Sequence, residues 1–250
     1  MDYRRKYQVD ILIRGWNNLD QTARCIRSIV ENTPAPSYLI TYVDNGSDQI
    51  NDWLGAVGYQ FEDMAQFVLL PFNHGSVRAI NVGLSLALLS DSEYILLLDN
   101  DTEIPQGDVT WLERLITYFD VDPRIGAVGA TSDYVSGLQH VLSLPQRLAG
   151  MAPIEAPWLI SFAMMLRKTA VEEVEFFDER YEPGNFEDID YCVQLRDAGW
   201  KCAVADSVFV KHHGSQTFGK MDFNELLNAN RGKLFAKWSA EKLAVMGVEL

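Results

Sequence analysis

The chain has 250 residues, 48% apolar and 22% charged, a balance that supports a buried core and is far from the low-hydrophobicity composition of a disordered chain. Its 35 acidic and 21 basic side chains leave a formal charge of −14, which argues against a nucleic-acid backbone or an anionic membrane as the main partner. Cys25, Cys192 and Cys202 form no CxxC pair, so neither a disulfide framework nor a zinc site is expected, and a reducing, cytoplasmic setting fits.

Short apolar runs alternate with helical patterns along the first hundred residues. "VDILIRG" precedes "DQTARCIRSIVEN", "YLITYVDNG" precedes a polar helix, "QFVLLPFN" precedes "SVRAINVGLSLALL", and "YILLLDND" closes the series. This is the βαβ rhythm of a parallel sheet, and Ala23, Ile26, Ile29 and Val30 give the first helix the apolar stripe needed to cover it. A helix around "VTWLERLITYF", a short "GAVGA" strand and a loop-like region from Thr131 to Pro157 follow. Next come the strand "WLISFAMMLR", a helix near "KTAVEEVEF", the helix "FEDIDYCVQLRDAG", the strand "CAVADSVFV" and one C-terminal helix over "NELLNANRGKLFAKWSAEKLAV". The longest apolar stretch, "PWLISFAMML", is about half the ~18 residues that suggest a membrane span, and "MDYRRKYQVD" lacks the apolar core of a signal peptide. The expectation is an α/β fold in a single domain, with no membrane span.

Open parallel sheets bind ligands at the carboxyl ends of their strands, which directs attention to Arg14–Asn17, Asp44–Ser47, Asn73–Ser76 and Asp99–Asp101. In "LLLDNDTEIP" an apolar strand runs into two mutually repelling carboxylates. Asp99 and Asp101 are either an Asp-rich turn, with Asn100 supplying the geometry, or a hard oxygen site for a divalent cation. A haloacid-dehalogenase-like phosphatase also places an Asp pair after an apolar strand, but near the start of its domain and without a residue like Glu103 after the pair. In "GNFEDIDYC", Asn185 and Asp188 have the spacing of a helix capping box, and Asp188 is equally placed to act as a base.

Six motifs in order, "ILIRGWNNLDQTARCIRSI", "VDNGSDQ", "NHGSVRAINVGL", "LLLDNDTEIP", "FFDERYEPGNFEDIDYCVQLRDAGWK" and "VKHHGSQTF", resemble a family 2 glycosyltransferase of the GT-A fold from about Val9 to Phe218. The resemblance implies a Rossmann-like, mostly parallel central sheet flanked by helices, with a mixed second half and a C-terminal helix. It divides the chain into a nucleotide-binding half at about 8–101, an acceptor and catalytic half at about 102–218, and a helical extension at 219–250. It implies transfer of a sugar from a nucleotide donor, a UDP-sugar ahead of a GDP- or dTDP-sugar, to a saccharide or other hydroxyl acceptor, with inversion and with Mn²⁺ or Mg²⁺. A nucleotide-sugar-binding scaffold without turnover is the alternative.

Residue by residue, the resemblance implies that Asp44 accepts a hydrogen bond from the base, with Gly15, Trp16 and Asn17 packed nearby, Trp16 offering a stacking face or else belonging to the core. As an Asx turn is the other reading of Asp44, so a solvated helix arginine is the other reading of Arg78, which with Gly75 is assigned to the nucleotide. Asp99, Asn100 and Asp101 are assigned to ribose, metal and diphosphate, with His212 or His213 completing the metal's shell and His212 preferred. Asp188 is assigned as the general base, Glu187 as its positioning partner or an acceptor contact, Trp158 as a sugar-stacking residue and Asp190 as a supporting acceptor contact.

Overall fold

The computed structural model describes residues 8–34, 37–143, 153–174, 176–214 and 223–248. In chain order the elements are β1 (Val9–Gly15), α1 (Leu19–Asn32), β2 (Tyr38–Asp44), α2 (Ile50–Ala56), β3 (Ala65–Leu69), α3 (Ser76–Ala87), β4 (Tyr94–Asp99), β5 (Thr102–Glu103) and α4 (Trp111–Val121). They continue with β6 (Ile125–Thr131), β7 (Ile154–Ala156), β8 (Ala163–Arg167), α5 (Lys168–Glu173), α6 (Glu187–Asp197), β9 (Lys201–Phe209), β10 (Lys211–His212), α7 (Phe223–Lys237) and α8 (Ala240–Val245).

Among the described residues, eight strands form one sheet in the order β3-β2-β1-β4-β8-β6-β9-β7. The β3-β2-β1-β4 half is parallel, β8 runs antiparallel to both of its neighbours, β9 is parallel to β6, and β7 is antiparallel to β9. A second sheet is the pair β10-β5. Alternation along β1 divides the core between the two faces. Val9, Ile11 and Ile13 pack with Ile26 and Ile29 of α1 and Trp111 of α4, whereas Leu12 packs with Ile80 and Leu84 of α3. Gly83 lets α3 approach closely, because a Cβ there would lie 2.0 Å from Leu12 Cδ1.

Three expected elements come out differently. The region expected as a loop over Thr131–Pro157 contains β7, which pairs with β9 at the edge of the sheet. The strand expected over Trp158–Arg167 begins only at Ala163, because the preceding amides bond to side chains instead of a ladder. Leu159 N–H meets Cys192 Sγ, Ile160 N–H donates to Gln139 Oε1 at 2.6 Å, and Ser161 N–H donates to Asp188 Oδ2 at 3.3 Å. The C-terminal helix is two helices, since the Ser239 hydroxyl accepts from Lys242 N–H and caps a new start at Ala240. Residues 144–152 of the expected loop, 175 of the helix after β8 and 215–218 of the last motif lie outside the described residues. Among those described, no helix is long and apolar enough to cross a membrane.

Candidate active site

The carboxyl ends of β1 and β4 and the loops after β2 and β3 open onto one cleft of about 610 Å³, which also receives Trp158, Ile160–Phe162, Pro183–Ile189 and His212. That is where an open α/β sheet holds its ligand.

At one part of the cleft β4 ends in Asp99, and the turn between β4 and β5 carries Asp101. The short β5–β10 pairing sets His212 opposite Thr102, and His213 N–H donates to the Asp101 carbonyl. Successive strand residues face opposite ways. His212 Nε2 therefore lies 3.3 Å from Asp101 Oδ1 and 3.7 Å from Asp99 Oδ2, whereas His213 turns to Glu103 at 3.1 Å. The Tyr134 carbonyl lies 2.7 Å from His212 Nδ1 and can only accept, so Nδ1 carries its proton and Nε2 faces the carboxylates. Phe162 stacks on the imidazole at 5.0 Å. Burial pushes the His212 pKa down, but Asp101 and Asp99 outweigh it and leave the pKa raised.

The ligand atoms of Asp99, Asp101 and His212 all lie within 4.8 Å of one another, close enough for one cation to meet all three. Two carboxylates and an imidazole whose Nε2 is presented to them fit a hard divalent ion such as Mn²⁺ or Mg²⁺. A cation also sits beside the pair, since Arg14 Nη2 is 2.8 Å from Asp99 Oδ1 and its Nε donates to Ser76 Oγ at 2.9 Å. The sequence puts Arg14 at a strand end without assigning it a role; its signal is a lone cation inside the apolar run "ILIRG".

The second cluster begins α6. Asn185 and Phe186 are both left-handed, at φ 71° and 74°, conformations that cost an L side chain about 1–2 kcal/mol each and that gather at functional sites. Among the described residues no side chain caps the helix, and Asn185 and Asp188 do not form the capping box. Asp188 instead accepts from Ile189 N–H at 2.8 Å and from Ser161 N–H, and with Glu187 it lines the cleft while almost wholly buried. Burial pushes both carboxyls above their ordinary range. Glu187 is raised further by the Asp188 charge, and Arg14 opposes the rise at both.

Gly15, Trp16, Gly75, Asn100 and Trp158 also line the cleft. A Cβ on Gly15 would lie 2.9 Å from Asn100 Nδ2 and 2.7 Å from the Tyr42 hydroxyl. Four expected contacts lie elsewhere. Asp44 is fully buried in an Asx turn, accepting from Gly46 N–H, Ser47 N–H, Ser47 Oγ and the Tyr42 hydroxyl, so its acceptor sites are taken. Asn17 faces a neighbouring groove, where its side chain accepts from Asp48 N–H. Arg78 is exposed outside the cleft lining, while its backbone N–H donates to Glu182 Oε1 at the start of α3, where a ligand contact was expected. Asp190 is fully buried away from the cleft, bonded to Trp238 and Lys237.

Residues 10–174 match the family described as "Glycosyl transferase family 2", about two-thirds of the chain. The chain belongs to that family. The phosphatase alternative falls with this match, since the Asp pair follows the fourth strand of a family 2 sheet. The uncharacterised protein y4gI of Sinorhizobium fredii is 24% identical, covering 87% of this chain, which spans only 26% of that protein's length. Among solved structures, a mannosyltransferase from Pyrobaculum calidifontis in complex with GDP-Man and Mn²⁺ is similar at a TM-score of 0.71 and 15% identity, over 99% of this chain and 70% of that one. GalNAc-T7 with UDP, GalNAc and Mn²⁺ gives a TM-score of 0.74 at 15% identity, over 96% of this chain and 49% of that one. TarS of S. aureus gives 0.61 at 15% identity, over 91% and 40%. At such identities the likeness is one of fold, and the fold is that of GT-A glycosyltransferases. The family match stops short of Glu187, Asp188 and His212, so those residues rest on the geometry of the cleft.

Proposed function

We propose that this family 2 chain transfers a sugar from a nucleoside-diphosphate sugar to an acceptor hydroxyl, with inversion at the anomeric carbon and with a divalent metal. The observation that carries the reading is one cleft lined both by the Asp99–Asp101–His212 cluster and by the buried Glu187–Asp188 pair. UDP-sugars are the first donors to test, with GDP- and dTDP-sugars after them. The nucleotides in the complexes of the two similar enzymes support this donor class.

Asp99, Asp101 and His212 would hold Mn²⁺ or Mg²⁺, which when bound offsets the negative charge of a nucleoside diphosphate. Arg14 tethers Asp99 and Ser76, and so keeps the ends of β4 and α3 in register around that cluster. Asp188 is the base in this reading. Its carboxylate is aimed by Ile189 and Ser161 amides, and burial raises its basicity toward neutrality, where a general base works best. The acceptor oxygen bonds to the anomeric carbon, the carbon–oxygen bond to the diphosphate breaks, and the acceptor's proton passes to Asp188. Among the described residues the buried Glu187 Oε2 has no hydrogen-bond partner, which fits it to accept from an acceptor hydroxyl once the acceptor enters beside Asp188.

Transfer assayed across UDP-, GDP- and dTDP-sugars, with Mn²⁺ and with excess EDTA, tests the class of reaction. Full activity in EDTA would overturn the metal. Asp188→Asn keeps the shape but cannot take the proton, so kcat should fall by at least ~10²-fold while donor affinity stays unchanged. NMR of the product from an α-linked donor should show a β linkage, and an α-linked product would rule out single displacement.

A further inference from the structure

The helix α7 lies beyond the family match, yet it holds the segment that carries Glu187 and Asp188. Asn230 is fully buried on it. Its Nδ2 donates to three backbone carbonyls, Gly184 at 2.8 Å, Asn185 at 2.9 Å and Tyr181 at 3.1 Å. Two amide hydrogens thus serve three acceptors in the turn that ends in the left-handed pair Asn185–Phe186. Lys233 Nζ orients the amide from the other side by donating to Asn230 Oδ1 at 2.7 Å.

Farther along, the chain grips α6 just past the base. Lys237 Nζ donates to Asp190 Oδ2 at 2.7 Å and to Asp178 Oδ2 at 3.2 Å, and Trp238 Nε1 donates to Asp190 Oδ1 at 2.6 Å. Asp190 is fully buried, where a carboxylate is tolerated only with partners of this kind. The catalytic pair therefore sits between two anchors on one helix and its end, one on the carbonyls before it and one on the carboxylate after it.

We propose that α7 is a positioning element for the base: Asn230 and the Lys237–Trp238 pair hold the turn 181–186 and the start of α6 so that Glu187 and Asp188 project into the cleft. This deepens the reading of Asp188 as the base and rests on it. Asn230→Ala removes the carbonyl clamp, and Trp238→Phe removes the N–H given to Asp190 while keeping most of the ring. Neither residue lines the cleft.

The measurements are kcat and donor KM for each variant, Mn²⁺-dependent binding of the nucleoside diphosphate, and hydrogen exchange of the peptide spanning 181–190. A displaced base costs turnover and not donor binding, so kcat should fall ~10-fold or more with donor KM and nucleotide affinity within ~2-fold of the parent. Exchange should rise in 181–190 first. Unchanged kcat in both variants, or kcat and nucleotide binding falling together with the folded fraction, would overturn the proposal. If Asn230→Ala does not fold, Trp238→Phe alone decides by the same readings. Should the parent protein transfer no sugar at all, the base reading fails, and exchange then judges the clamp: a rise confined to 181–190 upholds it and a global rise refutes it.

Discussion

Glu187 and Asp188 place two carboxylates in a buried space with Arg14 offsetting them, so at the residue scale the proposed function and stability oppose each other. A base works only when deprotonated, and burial raises the Asp188 pKa. Turnover should therefore fall as pH drops, along a limb centred above the ordinary carboxylate value of about 4. A pH profile of kcat checks this, and a limb at or below pH ~4 would remove Asp188 from the role. The same shift has the opposite sign for stability. A carboxyl whose folded pKa is raised contributes fully below its unfolded pKa of about 4, and that contribution is lost as pH rises through the folded value. Glu187→Gln, which cannot ionise, should raise the melting temperature at pH 8 and leave it little changed at pH 4, while reducing transfer. Equal melting temperatures at pH 8 would show that the Glu187 charge is compensated in solution.

At the scale of elements, two-residue strands decide the chemistry of a histidine. Since His212 in β10 faces Asp101 while His213, just past the strand, meets Glu103, His212→Ala should abolish Mn²⁺-dependent nucleotide binding, whereas His213→Ala loses only a half-exposed contact with Glu103 and should retain it. Titration calorimetry of both variants separates them, and the reverse ranking would assign the metal contact to His213. Packing of α3 on β1 is as sharply constrained. Gly83→Ala would put a methyl 2.0 Å from a Leu12 side chain that is only 2% exposed, and should cost about 1–3 kcal/mol in denaturant unfolding. A neutral result would show that the helix can slide.

For the whole molecule, the charge of −14 sets how an anionic donor can be recognised. Asp99, Asp101, Glu187 and Asp188 in the cleft and an acidic surface repel a diphosphate, with Arg14 already engaged by Asp99. Nucleoside diphosphate alone should therefore bind weakly, and Mn²⁺ should tighten binding by far more than an equal ionic strength of monovalent salt, which only screens. Calorimetry with Mn²⁺, with EDTA and with NaCl checks this; comparable affinity in all three would assign the phosphates to a site built without metal.

The strand and helix order, the parallel first half and the crowding of polar residues at strand ends were legible in the sequence, because period-2 and period-3.6 apolar patterns and adjacent turn residues are local properties. Asp99, Asp101 and the FEDID segment could be named for the same reason, each lying within a few residues of its own signal. What the chain does at long range was not legible. Asp44 and Asp188 both allowed a local structural reading and a functional one: the Tyr42 and Ser47 hydroxyls closed the first into a turn, while the Ser161 amide, 27 positions away, drew the second into the cleft. Which histidine meets the aspartates depended on a strand pairing across more than a hundred positions, and the isolation of Asp190 from the cleft depended on Lys237 and Trp238 arriving from the far end of the chain. Side-chain direction at such places is set by contacts that only the folded chain brings together, since residue spacing along a sequence does not record them.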